Sequence, residues 1–388
     1  MKKHAFAIIV LIMLISGILQ ACTMNRINRQ ISKQDNADQR QQIYNKNLTG
    51  ISYVNTYRNK QTNTLKDTHD SGLQNDENKR KNRAADIKAN ESGKIMVVMF
   101  HNFVEKFSSK GSDDGQYTIT FDRFRELLQT LYDRKYRLIS MRDYLNNNIT
   151  VPEGCKPIIF TFDDASPGQF SLVEQNGNLM INPKSAVGIM DEFYSIHPDF
   201  GIKGTFYVSL GKSTFEGRGT LEERLKYLIN KGFEIGNHTL NHIDISRAGS
   251  GYELQKEIGG NQKMISELVP GYIMDTLALP FGASSDVNKD YIISGNYEGV
   301  EYQNRAILLV GSEPTLSPVN KYSTPLSMSR VRAPGINPVQ YDLDWWLKNI
   351  NPDEEYISDG DPDTVAVPKA KEELIDKNKL QGKTLILW

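Results

Sequence analysis

Two adjacent carboxylates, Asp163 and Asp164, end the apolar run Pro157–Phe162, and two imidazoles, His238 and His242, follow further along the chain. These residue types can divide the work of a hydrolytic metal site. One aspartate and two histidines offer an oxygen and two nitrogens to a divalent ion and leave coordination positions open for water and substrate. The other aspartate is then free to move protons. Spacing supports this division, because successive side chains on a strand face opposite ways and two aspartates at a strand end diverge. Histidines four residues apart on a helical turn lie on one side and can share an ion. Either element alone is commonplace, since Asp-Asp often opens a solvated loop and an H-x-x-x-H pair often decorates a surface helix. Their order, separation and flanking strands favour a joint site.

The elements that must position these residues alternate between strand and helix from Lys94 onward. Ile95–Phe100 reads as a buried strand. Thr120 reads as the N-cap of a helix carrying Phe124, Leu127, Leu128 and Leu131 on one stripe. Strands are predicted over 136–140, 157–162, 204–209, 233–236 and 276–279, with later candidates over 306–310, 328–331 and 384–387. Helices are predicted over 185–195, 221–230 and 253–268, and a loop over 164–183. Repeated βα units imply an α/β fold with a parallel sheet, here closed into a barrel. Such folds gather catalytic groups at the C-terminal ends of their strands. His101, Asp163, Asp164, the loop carrying His238, and Pro280-Phe281-Gly282 all fall at predicted strand ends.

The N-terminus reads as an export signal over residues 1–22, with Lys2 and Lys3 ahead of an apolar stretch from Ala5 to Leu19. That stretch is shorter than the roughly 20 residues a membrane span needs. Leu19-Gln-Ala-Cys22 resembles a bacterial lipobox, which implies lipidation of Cys22 and an extracytoplasmic protein held to the membrane. The alternative is an uncleaved N-terminal anchor. Residues 23–93 are rich in Asn, Gln, Lys, Arg and Asp without sustained periodicity, and read as a disordered polar tether. The catalytic domain is then expected over 94–388. Cys155 is the one thiol left after Cys22, so no intramolecular disulfide is expected. A net charge of −1 argues against a nucleic-acid partner.

The chain resembles the polysaccharide deacetylases (NodB homology, carbohydrate esterase family 4). Thr161-Phe-Asp-Asp164 is similar to that family's first motif, His238-Thr239-x-x-His242 to its second, and Leu279-Pro280-Phe281-Gly282 to its third. The resemblance spans roughly residues 94–388 and implies a distorted (β/α)7 barrel. It implies that Asp164, His238 and His242 hold a divalent metal, usually zinc with cobalt or nickel as alternatives. It further implies that Asp163 is the general base and that Pro280, Phe281 and Gly282 border substrate and oxyanion. Two positions depart from the pattern. Ala278 stands where the third motif has an arginine that orients the base, and Arg330 or Arg332 could replace that charge. Trp388 stands where the last motif has the general-acid histidine, and indole cannot donate a proton to a leaving amine, so His101 is the substitute acid. A packed, hydrogen-bonding rim histidine is the competing reading of His101. Trp345 and Trp346 lie in a predicted helix and read as core or groove aromatics, and Ser358–Pro362 as a turn.

These features point to a metal-dependent N-deacetylase of envelope polysaccharide, acting as a monomer on N-acetylated glycan. Peptidoglycan N-acetylglucosamine or N-acetylmuramic acid ranks first and poly-N-acetylglucosamine second, with de-O-acetylation of another glycan as an alternative. A catalytically impaired carbohydrate-binding relative is a rival, motivated by Ala278 and Trp388. A non-haem iron oxygenase also uses two histidines and a carboxylate, but its carboxylate follows the first histidine by two residues, where this chain has Leu240.

Overall fold

A computed structural model describes residues 69–109, 113–282 and 289–388, with side chains from residue 76 onward. The predicted signal segment and Cys22 lie outside the described residues. Residues Glu77–Trp388 form one compact unit.

In chain order the elements that build the site are α1 (His69–Asp86), β1 (Lys94–Phe100), α2 (Phe121–Asp133), β2 (Tyr136–Leu138), β3 (Lys156–Asp163) and α3 (Ala186–Ile196). They continue with β4 (Thr205–Val208), α4 (Leu221–Asn230), β5 (Glu234–Asn237), α5 (Gly251–Leu268), β6 (Thr276–Ala278), β7 (Ala306–Leu308) and β8 (Val331–Arg332). Parallel pairing runs β8–β1–β3–β4–β5–β6–β7, with β2 also parallel to β3. The two edges of this curled sheet are drawn together by one stretch of chain. Met328 bridges β7 at Leu308, and three residues later Val331 pairs with Val98 of β1. The result is an α/β barrel-like sheet, as expected from the alternating pattern.

Both faces of the central strands are buried, so the strands read as continuous apolar runs. Met96, Val98 and Phe100, with Ile158, Phe160 and Phe162, face outward against Phe124, Leu127 and Leu128 of α2. Ile95, Val97 and Ile159 face inward with Tyr207, Ala278 and Leu308. The same period of two carries Asp163 inward with Ile159. Gly236 makes room for the inner layer, because a Cβ there would meet the Tyr207 ring at 2.4 Å.

Two expectations require correction. The stretch 164–183 is not all loop: Leu172–Gln175 and Asn178–Ile181 form an antiparallel hairpin. The predicted tether also ends before residue 93. α1 lies within it, and Ala84, Ala89, Asn90, Glu91 and Ser92 are buried. Ala84 and Ala89 pack with Ala366 and Ile386, which belong to the parallel pair β9 (Thr364–Val367) and β10 (Thr384–Leu387). The predicted strand at 384–387 therefore forms, but in this small separate sheet.

Glu91 yields a pH prediction. Its carboxylate accepts from the Ala366 N–H at 2.9 Å and the Tyr356 hydroxyl at 3.1 Å. Burial, with the Asp359 charge adding to it, pushes it from an ordinary 4.5 up to about 8. Because the folded value is the higher one, Glu91 supports the fold fully below its ordinary value. That support is lost as pH rises toward 8. Glu91→Gln, which can accept from Ala366 and donate to Tyr356, is therefore expected to raise the melting temperature relative to wild type at pH 9 and change it little at pH 4. Thermal unfolding at the two pH values checks this, and a pH-independent difference would contradict it.

Candidate metal and active site

The strand β3 ends at Asp163, and the chain then turns through two left-handed residues, Asp164 (φ 73°) and Ala165 (φ 50°). This turn, rather than strand alternation alone, separates the two carboxylates. Non-glycine residues held at positive φ are costly and cluster at functional sites. Asp163 is buried inside the barrel, whereas Asp164 opens toward a cleft of about 680 Å³. That cleft is lined by His101, Asn102, Asp113, Asp114, Gln116, Tyr117, the two aspartates, His238, His242, Leu279, Phe281 and Val310.

His238 follows β5, and His242 lies in the loop beyond it. The helical turn expected for this pair does not form. Thr239 and His242 have φ of 62° and 54°, and the loop is shaped by polar contacts instead. Thr239 N–H donates to Asn237 Oδ1 at 2.9 Å, and Ile243 N–H to Thr239 Oγ1 at 3.2 Å. Glu257, on α5, receives the Asn241 main-chain N–H at 2.9 Å and its side-chain amide at 2.8 Å. Asn261, one turn further along α5, ties β4 to β5 by donating to the Val208 carbonyl and to Asn237 Oδ1. Nothing in the sequence marks Asn237, at the end of β5, or Glu257 and Asn261, on α5, as supports, because buried polar residues look like solvated ones.

Asp164, His238 and His242 bring one oxygen and two nitrogens within 4.8 Å of one another. Asp164 Oδ1 is 3.5 Å from His238 Nε2 and 3.1 Å from His242 Nε2. Ligands about 2.0–2.1 Å from a tetrahedral ion stand roughly 3.3 Å apart, so these separations suit a small divalent ion. The tautomer fits as well. His238 Nδ1 lies 2.8 Å from the Ala278 carbonyl, which can only accept, so Nδ1 carries the proton and Nε2 keeps its lone pair for an ion. Burial alone would raise Asp164, but the adjoining imidazoles outweigh it and hold the carboxyl far below the usual range. The Asp164 carboxylate in turn raises His242.

Asp163 has different company. Arg330, fully buried, donates to both carboxylate oxygens, at 2.7 and 2.8 Å. Burial pushes the Asp163 carboxyl up, and the Arg330 charge more than reverses this, keeping it ionised. Of the two arginines considered from sequence, Arg330 is thus the partner. Arg332 instead donates to Gln116 at 2.8 Å and lies 4.3 Å over the Tyr117 ring. His101 Nε2 stands 3.9 Å from Asp163 Oδ2 and faces the cleft. Burial lowers its pKa against the pull of Asp163 and Asp164, which favours the neutral ring. Phe281 is exposed in the cleft with φ 59°, its ring 5.0 Å from that of His242. Trp388 takes no part: its indole N–H donates to the Ala89 carbonyl at 2.8 Å and its ring packs beside α1. Trp345 and Trp346 lie on the helix α6 (Leu343–Asn349), and the Trp346 indole N–H donates to the Ser312 carbonyl at 2.8 Å.

Residues 150–300 match the family model described as polysaccharide deacetylase. A curated Bacillus subtilis (strain 168) relative, YxkH, provisionally described as a polysaccharide deacetylase, is 19% identical over 185 residues. That alignment covers 47% of this chain and 55% of YxkH, so the chain spans about half the length of the curated relative it matches. Two solved structures are also similar. BC0361, a polysaccharide deacetylase from Bacillus cereus, shows 19% identity with 66% of this chain and 69% of that one covered, at a TM-score of 0.48. The Streptococcus pyogenes deacetylase PplD, in complex with acetate, shows 18% identity with 67% and 99% covered, at a TM-score of 0.46. Residues 150–300 are thus similar to a polysaccharide deacetylase domain. The matched stretch holds Asp163, Asp164, His238, His242 and Pro280–Gly282, while His101 and Arg330 lie outside it.

Proposed function

We propose that this protein is a metal-dependent hydrolase that removes N-acetyl groups from a cell-envelope polysaccharide. The observation that carries the reading is the Asp164–His238–His242 cluster with the separately buried, ionised Asp163 beside it in one cleft. Those three residues would hold the divalent ion, zinc first with cobalt or nickel as alternatives, and such an ion polarises an acyl carbonyl and acidifies water. Asp163 takes the proton of the attacking water, and Arg330 keeps its carboxylate charged and aimed. His101, neutral at rest and facing the cleft, receives the proton that Asp163 took from the water and passes it to the departing amine, so both residues return to their starting states. Among the third-motif residues, Pro280 has no N–H and Gly282 gives its own to the Leu279 carbonyl at 3.0 Å. The Phe281 N–H is therefore the oxyanion donor in this reading, and the exposed Phe281 ring borders the sugar.

The polymer is peptidoglycan or poly-N-acetylglucosamine, and the protein works as a monomer. We place it outside the cytoplasm on a lipid anchor at Cys22, on the strength of Lys2, Lys3, the apolar stretch and the lipobox resemblance. Among the described residues no helix is long and apolar enough to cross a membrane. The purified protein loaded with zinc, cobalt or nickel is expected to release acetate from at least one of the two polymers, and chelation to stop it. Silence on both polymers with all three metals, in protein shown to carry the ion, would refute the assignment for these substrates.

A further inference from the structure

The strand ladder between β1 and β3 stops at Phe100 and Phe162. The next residues in register carry the proton chemistry proposed above, and one side chain continues the ladder between them. Gln169, fully buried, donates its amide N–H groups to the main-chain carbonyls of His101, at 2.7 Å, and of Asp163. Ser166 adds a hydroxyl to the His101 carbonyl at 3.2 Å. The amide orientation is forced, since the flipped side chain would set its oxygen against two carbonyl oxygens.

Gln169 is itself pinned at both backbone groups. Its N–H donates to the Ser166 carbonyl at 3.0 Å, and its carbonyl accepts from Val187 at 3.0 Å. The loop can come this close because residue 168 is glycine, where a Cβ would lie 2.1 Å from the Phe103 carbonyl oxygen. The Gln169 Oε1 atom is buried without a hydrogen-bond partner. An unmet buried acceptor is destabilising, and an apolar side chain of similar size would avoid it if packing were the only requirement.

We infer that Gln169 is a positioning residue that fixes the separation between His101 and Asp163 by clamping their main chains together. This rests on the reading of Asp163 as base and His101 as acid. The test compares the wild type with Gln169→Leu, which keeps the bulk and loses both donors, and with Gln169→Glu, which keeps the shape. Zinc content, melting temperature, kcat and KM for acetate release, and the crystal structure of each protein are measured. Gln169→Leu is expected to keep its zinc and KM, to lose kcat by about 10–100-fold, as displacements near 1 Å do, and to show His101 shifted relative to Asp163. Gln169→Glu, whose carboxylate sets oxygen against both carbonyls, is expected to lose at least as much kcat as Gln169→Leu.

Unchanged kcat with unchanged His101 and Asp163 positions would overturn the inference. So would loss of zinc or failure of both variants to fold, either of which makes Gln169 an ordinary core residue. If the wild type binds zinc but releases no acetate, the functional reading fails separately. The crystal structures then still decide whether Gln169 sets the spacing.

Discussion

Asp163→Asn is expected to lower kcat for acetate release by about two to four orders of magnitude, the range for loss of a positioned general base. The isosteric amide cannot take the water proton, while Asp164, His238 and His242 remain to hold the ion. Zinc stoichiometry should therefore be unchanged, which separates this variant from His242→Ala, where both zinc and activity should go. A second consequence follows from Arg330, which has no solvent exposure and finds its countercharge in Asp163. The variant leaves that guanidinium uncompensated, so its denaturation midpoint should fall along with its activity. Kinetics must accordingly be read well below the variant's own melting temperature. Activity within a few-fold of wild type, with zinc in place, would remove Asp163 from the base role.

Much of this site is legible in the sequence, and the reasons differ residue by residue. The runs Ile95–Phe100 and Pro157–Phe162 are apolar on both faces, so their burial shows without any knowledge of partners. The aspartates at the end of one such run and the histidines beyond another are placed by the rule that parallel strands present chemistry at their C-terminal ends. The helical geometry assumed for His238 and His242 is wrong because periodicity cannot register left-handed residues such as Thr239, which is held by Asn237. The hairpin at 172–181 carried a readable signal, the Asn176-Gly177 pair that suits a two-residue turn. The boundary at residue 93 misleads because Glu91 and Asn90 look like solvated polar residues until β9 and the segment around Tyr356 pack over them. Long-range polar contacts leave no local pattern, and both Gln169 and Asn261 act through such contacts.

Arg330→Met is expected to destabilise the protein by about 3–5 kcal/mol, the usual result of stranding one member of a buried ion pair. Arg330 lies inside the barrel and gives Nε to the Leu309 carbonyl at 2.9 Å, a further N–H to Thr161 Oγ1 at 3.2 Å, and two to Asp163. Methionine fills similar space without charge, so the Asp163 carboxylate remains ionised only at the expense of the fold. Adding Asp163→Asn removes that charge too, and the double variant should be more stable than the sum of the single effects by about 0.5–3 kcal/mol. Urea unfolding of the four proteins measures the coupling. Arg330→Lys should recover little, because a single ammonium cannot meet both carboxylate oxygens at once. Strict additivity, or a single-variant cost below about 1 kcal/mol, would mean that the pair neither holds the barrel interior nor fixes the base. The position two residues before Pro280, where the resembling family keeps its orienting arginine, is Ala278, and its carbonyl instead anchors His238. The charge therefore reaches Asp163 from the segment that draws the sheet edges together, which makes orientation of the proposed base and closure of the barrel one structural event.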